Sequence, residues 1–114
     1  MHELGIVFYV VEEVEKVARE NNAKKVVSVT LELGEVSSVI PSYFMDLWNW
    51  TIKKHELLND CKMELVNLKA VSYCEDCKKT YETVKHGKKC PYCQSDKTYL
   101  ITGNQINLKN IKVV

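Results

Sequence analysis

Four of the five cysteines fall within twenty consecutive positions, as Cys74-Glu75-Asp76-Cys77 and, after twelve residues, Cys90-Pro91-Tyr92-Cys93. Two residues between paired cysteines let a tight turn aim both sulfurs at one ion. Two such turns face to face make the tetrahedral four-sulfur site that structural Zn(II) prefers. The spacing therefore predicts a structural zinc module with Cys74, Cys77, Cys90 and Cys93 as ligands. Four protein ligands leave no open position for water or substrate, which argues against hydrolytic zinc chemistry there. A segment of roughly thirty residues has too little core to fold alone, and metal binding, worth on the order of 10 to 16 kcal/mol in small zinc peptides, supplies the difference. An odd cysteine total in a chain without a secretion signal argues against a disulfide framework. An iron-sulfur or redox dithiol site remains open on spacing alone. So does a nucleic-acid-binding ribbon whose basic turn is Lys85, His86, Lys88 and Lys89, although lysines beside a dianionic zinc-thiolate centre stabilise it without any partner.

The rest of the chain patterns as a small α+β domain. Val7, Val10, Val11, Val14, Val17 and Ala18 recur at helical spacing from Leu4 to about Glu20, and Asn21 and Asn22 end that helix. Val27, Val29, Leu31 and Leu33 then alternate with polar residues up to Gly34, as a half-buried strand does. Pro41 suits the first turn of a second helix with Phe44, Leu47, Trp48 and Ile52 as its apolar stripe and Lys53 and Lys54 at its end. A strand is expected from Cys61 to Ala70. Short β pieces are expected at Tyr81 to Val84 and Tyr99 to Thr102, with turns at His86, Gly87 and Gly103. The last strand, Ile106 to Val114, changes parity near Asn110, which suggests a bulge there. A terminal apolar strand needs a sheet to join, and the nearest is that of the first 70 residues. The expected fold is thus two helices packed on a small three-stranded sheet, with an inserted zinc-ribbon-like domain. Residues 1–70 plus 104–114 form the first domain and 71–103 the four-cysteine one.

Charge and hydropathy exclude other classes. Residues 1–70 carry 8 Lys/Arg against 11 Asp/Glu, and residues 71–114 carry 8 against 4, so the second part is only modestly basic. Zinc-bound thiolates reduce that further, which is weak footing for nucleic-acid binding. No apolar run approaches the ~20 residues that span a bilayer, and the reading is of a cytoplasmic protein with no membrane association.

The chain opens Met1, His2, Glu3. The Met1 amine, the His2 backbone nitrogen and the His2 imidazole can close adjacent chelate rings on one ion, and the Glu3 backbone nitrogen can take a fourth position. Four nitrogens in a plane suit Ni(II) or Cu(II) better than d¹⁰ Zn(II). A histidine at position 2 is by itself a weak signal, more simply read as a solvated terminal residue.

Taken together, Met1-His2-Glu3-Leu4, the strand end Leu31-Glu32-Leu33-Gly34-Glu35 with Val36 and Ser37, Pro41, the paired cysteines with Cys90-Pro91-Tyr92-Cys93, and the tail Gly103-Asn104-Gln105-Ile106 resemble the HypA family of hydrogenase and urease nickel-incorporation proteins. The resemblance covers essentially the whole chain. It implies a transferable Ni(II) held by the N-terminal amine, the backbone nitrogens of His2 and Glu3 and the His2 imidazole. It also implies delivery to a nickel enzyme, such as the hydrogenase large subunit or urease, helped by a nickel-binding GTPase; whether the chain forms a homodimer is left open. Gln105 departs from the family, where glutamate is frequent.

The remaining conspicuous residues have plain structural readings. Cys61 alternates with Met63 and Leu65 and reads as a buried cysteine. Trp48 continues the helical stripe, whereas Trp50 lies off it and is a candidate partner contact. His55 reads as a cation at a helix end, and His86 as an exposed turn residue. No nucleophile–base arrangement or phosphate-cradling loop is present, so a binding and transfer protein is expected rather than an enzyme. The competing reading is a zinc-ribbon nucleic-acid-binding or protein-interaction adaptor module.

Overall fold

The computed structural model describes residues 3–114; Met1 and His2 lie outside the described residues. By contact the chain divides into two compact units. The first comprises Met1–Glu32, Val39–Val66 and Asn107–Val114, and the second Leu33–Ser38 and Asn67–Ile106.

The first unit begins with helix α1, Glu3–Glu20. It buries Val7, Val10, Val11, Val14 and Ala18, the apolar stripe anticipated from periodicity, with only Val17 less covered. Asn22 stops it in the left-handed conformation at φ 54°, and the Ala23 N–H returns to the Ala18 carbonyl at 2.9 Å, the usual way a helix end satisfies its last carbonyls. Strand β1, Val26–Gly34, leads to helix α2, Pro41–Thr51, which tightens into a 3₁₀ turn at Ile52–Lys54. Strands β2, Lys62–Leu68, and β6, Ile106–Val113, complete a sheet of order β2-β1-β6.

The pairing directions follow from hydrogen bonds at the strand ends. Gly34 N–H donates to Gln105 O at 2.8 Å, and Val114 N–H donates to Lys25 O at 2.9 Å, so β1 and β6 run antiparallel with one register at both ends. Burial along β6 alternates as far as Lys109 and changes phase at Lys109–Asn110, where the sequence changes parity. Glu35 N–H donates to Leu68 O at 2.8 Å, which sets the ends of β1 and β2 side by side as a parallel pair. Parallel strands need a crossover, and α2 provides it.

The two helices run parallel. Near their starts the Ile40 N–H donates to Glu3 Oε2 at 3.2 Å, and near their ends His55 Nδ1 lies 3.2 Å from Glu15 Oε2. Between these ties, Phe44 and Trp48 on α2 are fully buried, as are Val7, Val14, Val29, Leu31 and Leu58 elsewhere in this unit. His55 is therefore an inter-helix partner of Glu15 rather than only a helix-end cation. Cys61 is 3% exposed. Burial pushes its thiol up to about 11 against a smaller opposing effect of Lys25, as befits a structural cysteine. Trp50 is half exposed, with the Lys54 ammonium 4.1 Å above its ring.

In the second unit, β3, Val71–Cys74, pairs antiparallel with β4, Thr80–Glu82, and with β5, Thr98–Thr102. A single turn of helix, α3, Thr83–His86, follows β4. Segment 33–38 belongs here because of two glycines. A Cβ on Gly34 would overlap the Gly103 carbonyl, and one on Gly103, whose φ is +113°, would stand 2.6 Å from Ala70 Cβ and closer still to its Cα. Glu35 Oε1 accepts the Ala70 N–H at 3.0 Å, and the Val36 N–H donates to Gly103 O at 2.9 Å. Gly103→Ala is expected to lower stability by more than the ~1–3 kcal/mol that a strained backbone alone costs, because Ala70 must also move; chemical denaturation of the metal-loaded protein measures it.

Candidate metal centre

Two turns of the same backbone design hold the cysteines. In the first, Lys78 adopts φ 60°; its N–H donates to Cys74 O at 2.8 Å, and the Cys74 N–H donates to Lys79 O at 2.9 Å. In the second, Gln94 adopts φ 65°; its N–H donates to Cys90 O at 3.0 Å, and the Cys90 N–H donates to Ser95 O at 2.9 Å. Each turn thus closes one residue after its second cysteine, which leaves both sulfurs on the same side. The Ser95 hydroxyl donates to the Asp76 carboxylate, tying one turn to the other.

The four Sγ atoms lie within 4.8 Å of one another. Cys74 and Cys93 approach to 3.6 Å and Cys77 and Cys90 to 3.5 Å. A tetrahedral ion with Zn–S of about 2.3 Å needs sulfurs about 3.8 Å apart, so the cluster fits structural zinc without rearrangement. Burial is uneven: Cys74 and Cys90 are fully buried, Cys77 is intermediate and Cys93 is exposed.

Among the metal-free thiols, burial opposes ionisation of Cys90, but the N–H groups of Cys93 and Tyr92 and the neighbouring thiols outweigh it and bring Cys90 down to about 7. For Cys93 the Ser95 N–H favours the thiolate, yet burial and the three other sulfurs push it up to about 12. Cys77 is raised too, chiefly by burial. One negative charge on the cluster therefore suppresses the next. A cation that binds all four as thiolates displaces protons in doing so, and affinity rises with pH.

The sequence-derived residues divide between the units. The four cysteines converge in the second. Glu3, the third residue of the N-terminal chelate expected from the sequence, is the first residue of α1; Met1 and His2 lie outside the described residues. His86 is exposed on α3 with its ring edge-on to Tyr81 at 6.0 Å, and Lys85 is engaged by Glu82 at 3.0 Å. Sequence reasoning missed the roles of Glu35 and Gln105. Gln105 Oε1 accepts the Gly103 N–H at 2.7 Å, a bond a neutral amide makes as well as a carboxylate, so glutamine at this place keeps the turn intact.

Stripping metal with a chelator is expected to abolish hydrogen-exchange protection in β3, β4 and β5 while α1 retains its own. Competition against a chromophoric chelator should show zinc affinity increasing as pH rises through neutrality. Unchanged protection after metal removal would mean that the sulfurs do not hold this unit together.

Among the described residues no helix is long and apolar enough to cross a membrane. The family model for hydrogenase/urease nickel incorporation, metallochaperone, hypA, matches residues 1–113. The hydrogenase maturation factor HypA of Actinobacillus succinogenes is 29% identical, with 99% of each chain covered. The hydrogenase maturation factor HybF of Escherichia coli K12 is 30% identical, again over 99% of each. In fold, the solution structure of the Ni metallochaperone HypA from Helicobacter pylori superposes with a TM-score of 0.76 at 23% identity, covering 100% of this chain and 98% of that one. A four-sulfur cluster with zinc-compatible spacing, a two-helix and three-stranded α+β unit, and a match spanning nearly every residue together make this chain a member of the HypA family.

Proposed function

We propose that this chain is a nickel metallochaperone of hydrogenase maturation that captures Ni(II) at its own N-terminus and passes it on without catalysing a reaction itself. The observation that carries this reading is the family match over residues 1–113, in a chain that opens Met1-His2-Glu3. On this reading residues 1–70 plus 104–114 are the nickel-binding domain and 71–103 the zinc domain. Nickel is held by the Met1 amine, the backbone nitrogens of His2 and Glu3 and the His2 imidazole. Zinc is held by Cys74, Cys77, Cys90 and Cys93.

The place of Glu3 makes such a chelate chemically reasonable. Glu3 opens α1, so its backbone nitrogen follows directly on the Met1 and His2 donors along the chain. The positive end of a helix disfavours a cation. Backbone nitrogens that bind nickel give up their protons, however, and that negative charge offsets the dipole. Proton release from amine, amides and imidazole also predicts nickel affinity that rises with pH through the range where the α-amine titrates, about 7.7 to 8.0 when unperturbed.

Recipients on this reading are a nickel-binding GTPase and the hydrogenase large subunit, in the cytoplasm. A Ni(II) titration of zinc-loaded protein beginning at Met1, run beside His2→Ala and a variant with one extra N-terminal residue, tests the capture step. One nickel per chain is expected for the native sequence and a large loss for both variants. Equal binding by all three would place nickel elsewhere and favour the zinc-ribbon adaptor reading. Release is expected to involve the start of α1. Binding of the GTPase should change hydrogen exchange in residues 2–10, and unchanged exchange there would reject that route.

A further inference from the structure

The four sulfurs sit in unequal surroundings. Cys74 and Cys90 are closed off from solvent, Cys77 is partly covered, and Cys93 is exposed. Cys90 Sγ also accepts the Tyr92 N–H at 3.4 Å, and an amide donor on a thiolate withdraws electron density from it. Metal-bound sulfur stays nucleophilic toward small electrophiles that can reach it, and access decides which sulfur reacts. Cys93 is the ligand with that access. Its neighbour across the two turns is Cys74 Sγ at 3.6 Å, buried and therefore shielded from direct attack but able to attack Cys93.

We propose that Cys93 is an oxidant-modification site: a small peroxide oxidises it first, Cys74 then closes a disulfide with it across the two turns, and zinc is released. In the first step the Cys93 thiolate attacks one peroxide oxygen. An S–O bond forms, the O–O bond breaks, sulfur is oxidised to a sulfenic acid, and hydroxide leaves. In the second step the Cys74 thiolate attacks the Cys93 sulfur, an S–S bond forms, the S–O bond breaks, and a second hydroxide leaves. Two thiolates and one peroxide thus give one disulfide and two hydroxides. The remaining pair, Cys77 and Cys90, holds the ion with half the ligands and no longer closes a tetrahedron. The fifth cysteine takes no part: Cys61 is 3% exposed, and burial keeps it a protonated, inert thiol.

The inference rests on zinc loading of the cysteine site and not on nickel transfer. Zinc content of the full chain is therefore measured before oxidant is added, and less than one zinc per chain overturns both readings. The loaded protein is then given limiting hydrogen peroxide with dimedone as sulfenate trap. A parallel sample without trap is alkylated and mapped by peptide mass, while zinc release is followed with a chromophoric chelator. The first adduct is expected on Cys93, the first disulfide between Cys74 and Cys93, and loss of one zinc per chain in step with it. Cys61→Ser should lose zinc at the native rate. Cys93→Ser removes a ligand as well as the nucleophile, so mapping on the native sequence decides. An adduct appearing first on any other cysteine, a first disulfide between Cys90 and Cys93, or zinc retained after Cys93 is oxidised would each overturn the proposal.

Discussion

Residues 67–106 hold their shape around sulfur rather than around hydrocarbon. The buried cluster of that part of the chain consists of Cys74, Tyr81 and Cys90, with Cys77 packed against it. Two of the three buried members of that cluster are prospective metal ligands. Hydrophobic burial on this scale stabilises by a few kcal/mol, far short of the roughly 1 to 2 kcal/mol per residue lost when backbone is ordered. A cation shared by four thiolates is the interaction strong enough to make up the difference. Supporting hydrogen bonds then acquire their meaning: the Tyr81 hydroxyl donates to Gly87 O at 2.8 Å, and Ser72 meets Thr83 through their hydroxyls at 2.7 Å. They fix the strands that carry the two turns.

The other unit works by the opposite principle. Val7, Val14, Val29, Phe44, Trp48 and Leu58 are fully buried, and its stability comes from apolar side chains on two parallel helices and one sheet. This division suits a transfer protein. Four sulfurs around one ion fit a structural zinc site with no ligand position to spare, whereas a cargo ion needs a site that can open. On the reading proposed above, the terminal and backbone nitrogens at the start of the chain are that second site.

Much of this organisation was legible in the sequence because its signals are local or periodic. The helical spacing of Val7, Val10, Val11, Val14 and Ala18, the alternation at Val29, Leu31 and Leu33, and the two cysteine pairs each report a nearby geometry. What escaped reading depends on distant partners. β3 is four residues long and carries too short a pattern to stand out from the run before it. The single turn of α3 was expected as an extended piece, since Tyr81 to Val84 has β-like composition but the chain there turns after Glu82. Glu35 gave no sign that its carboxylate would take up the N–H of Ala70, thirty-five positions away.

Gly34 and Gly103 illustrate the boundary most clearly. In the sequence each is a glycine at the end of an apolar run, which marks a stop and nothing more. In the structure the two backbones touch, and the second lies against Ala70 in a conformation that side chains avoid. The sequence by itself determined the zinc-compatible donor set and the two amphipathic helices, because ligand type and periodicity are properties of the chain. Tertiary structure alone decided which sulfur faces solvent and which carboxylate meets which amide. It also decided that β1 takes β2 in parallel and β6 in antiparallel, because exposure and pairing arise only when residues far apart in sequence exclude water together.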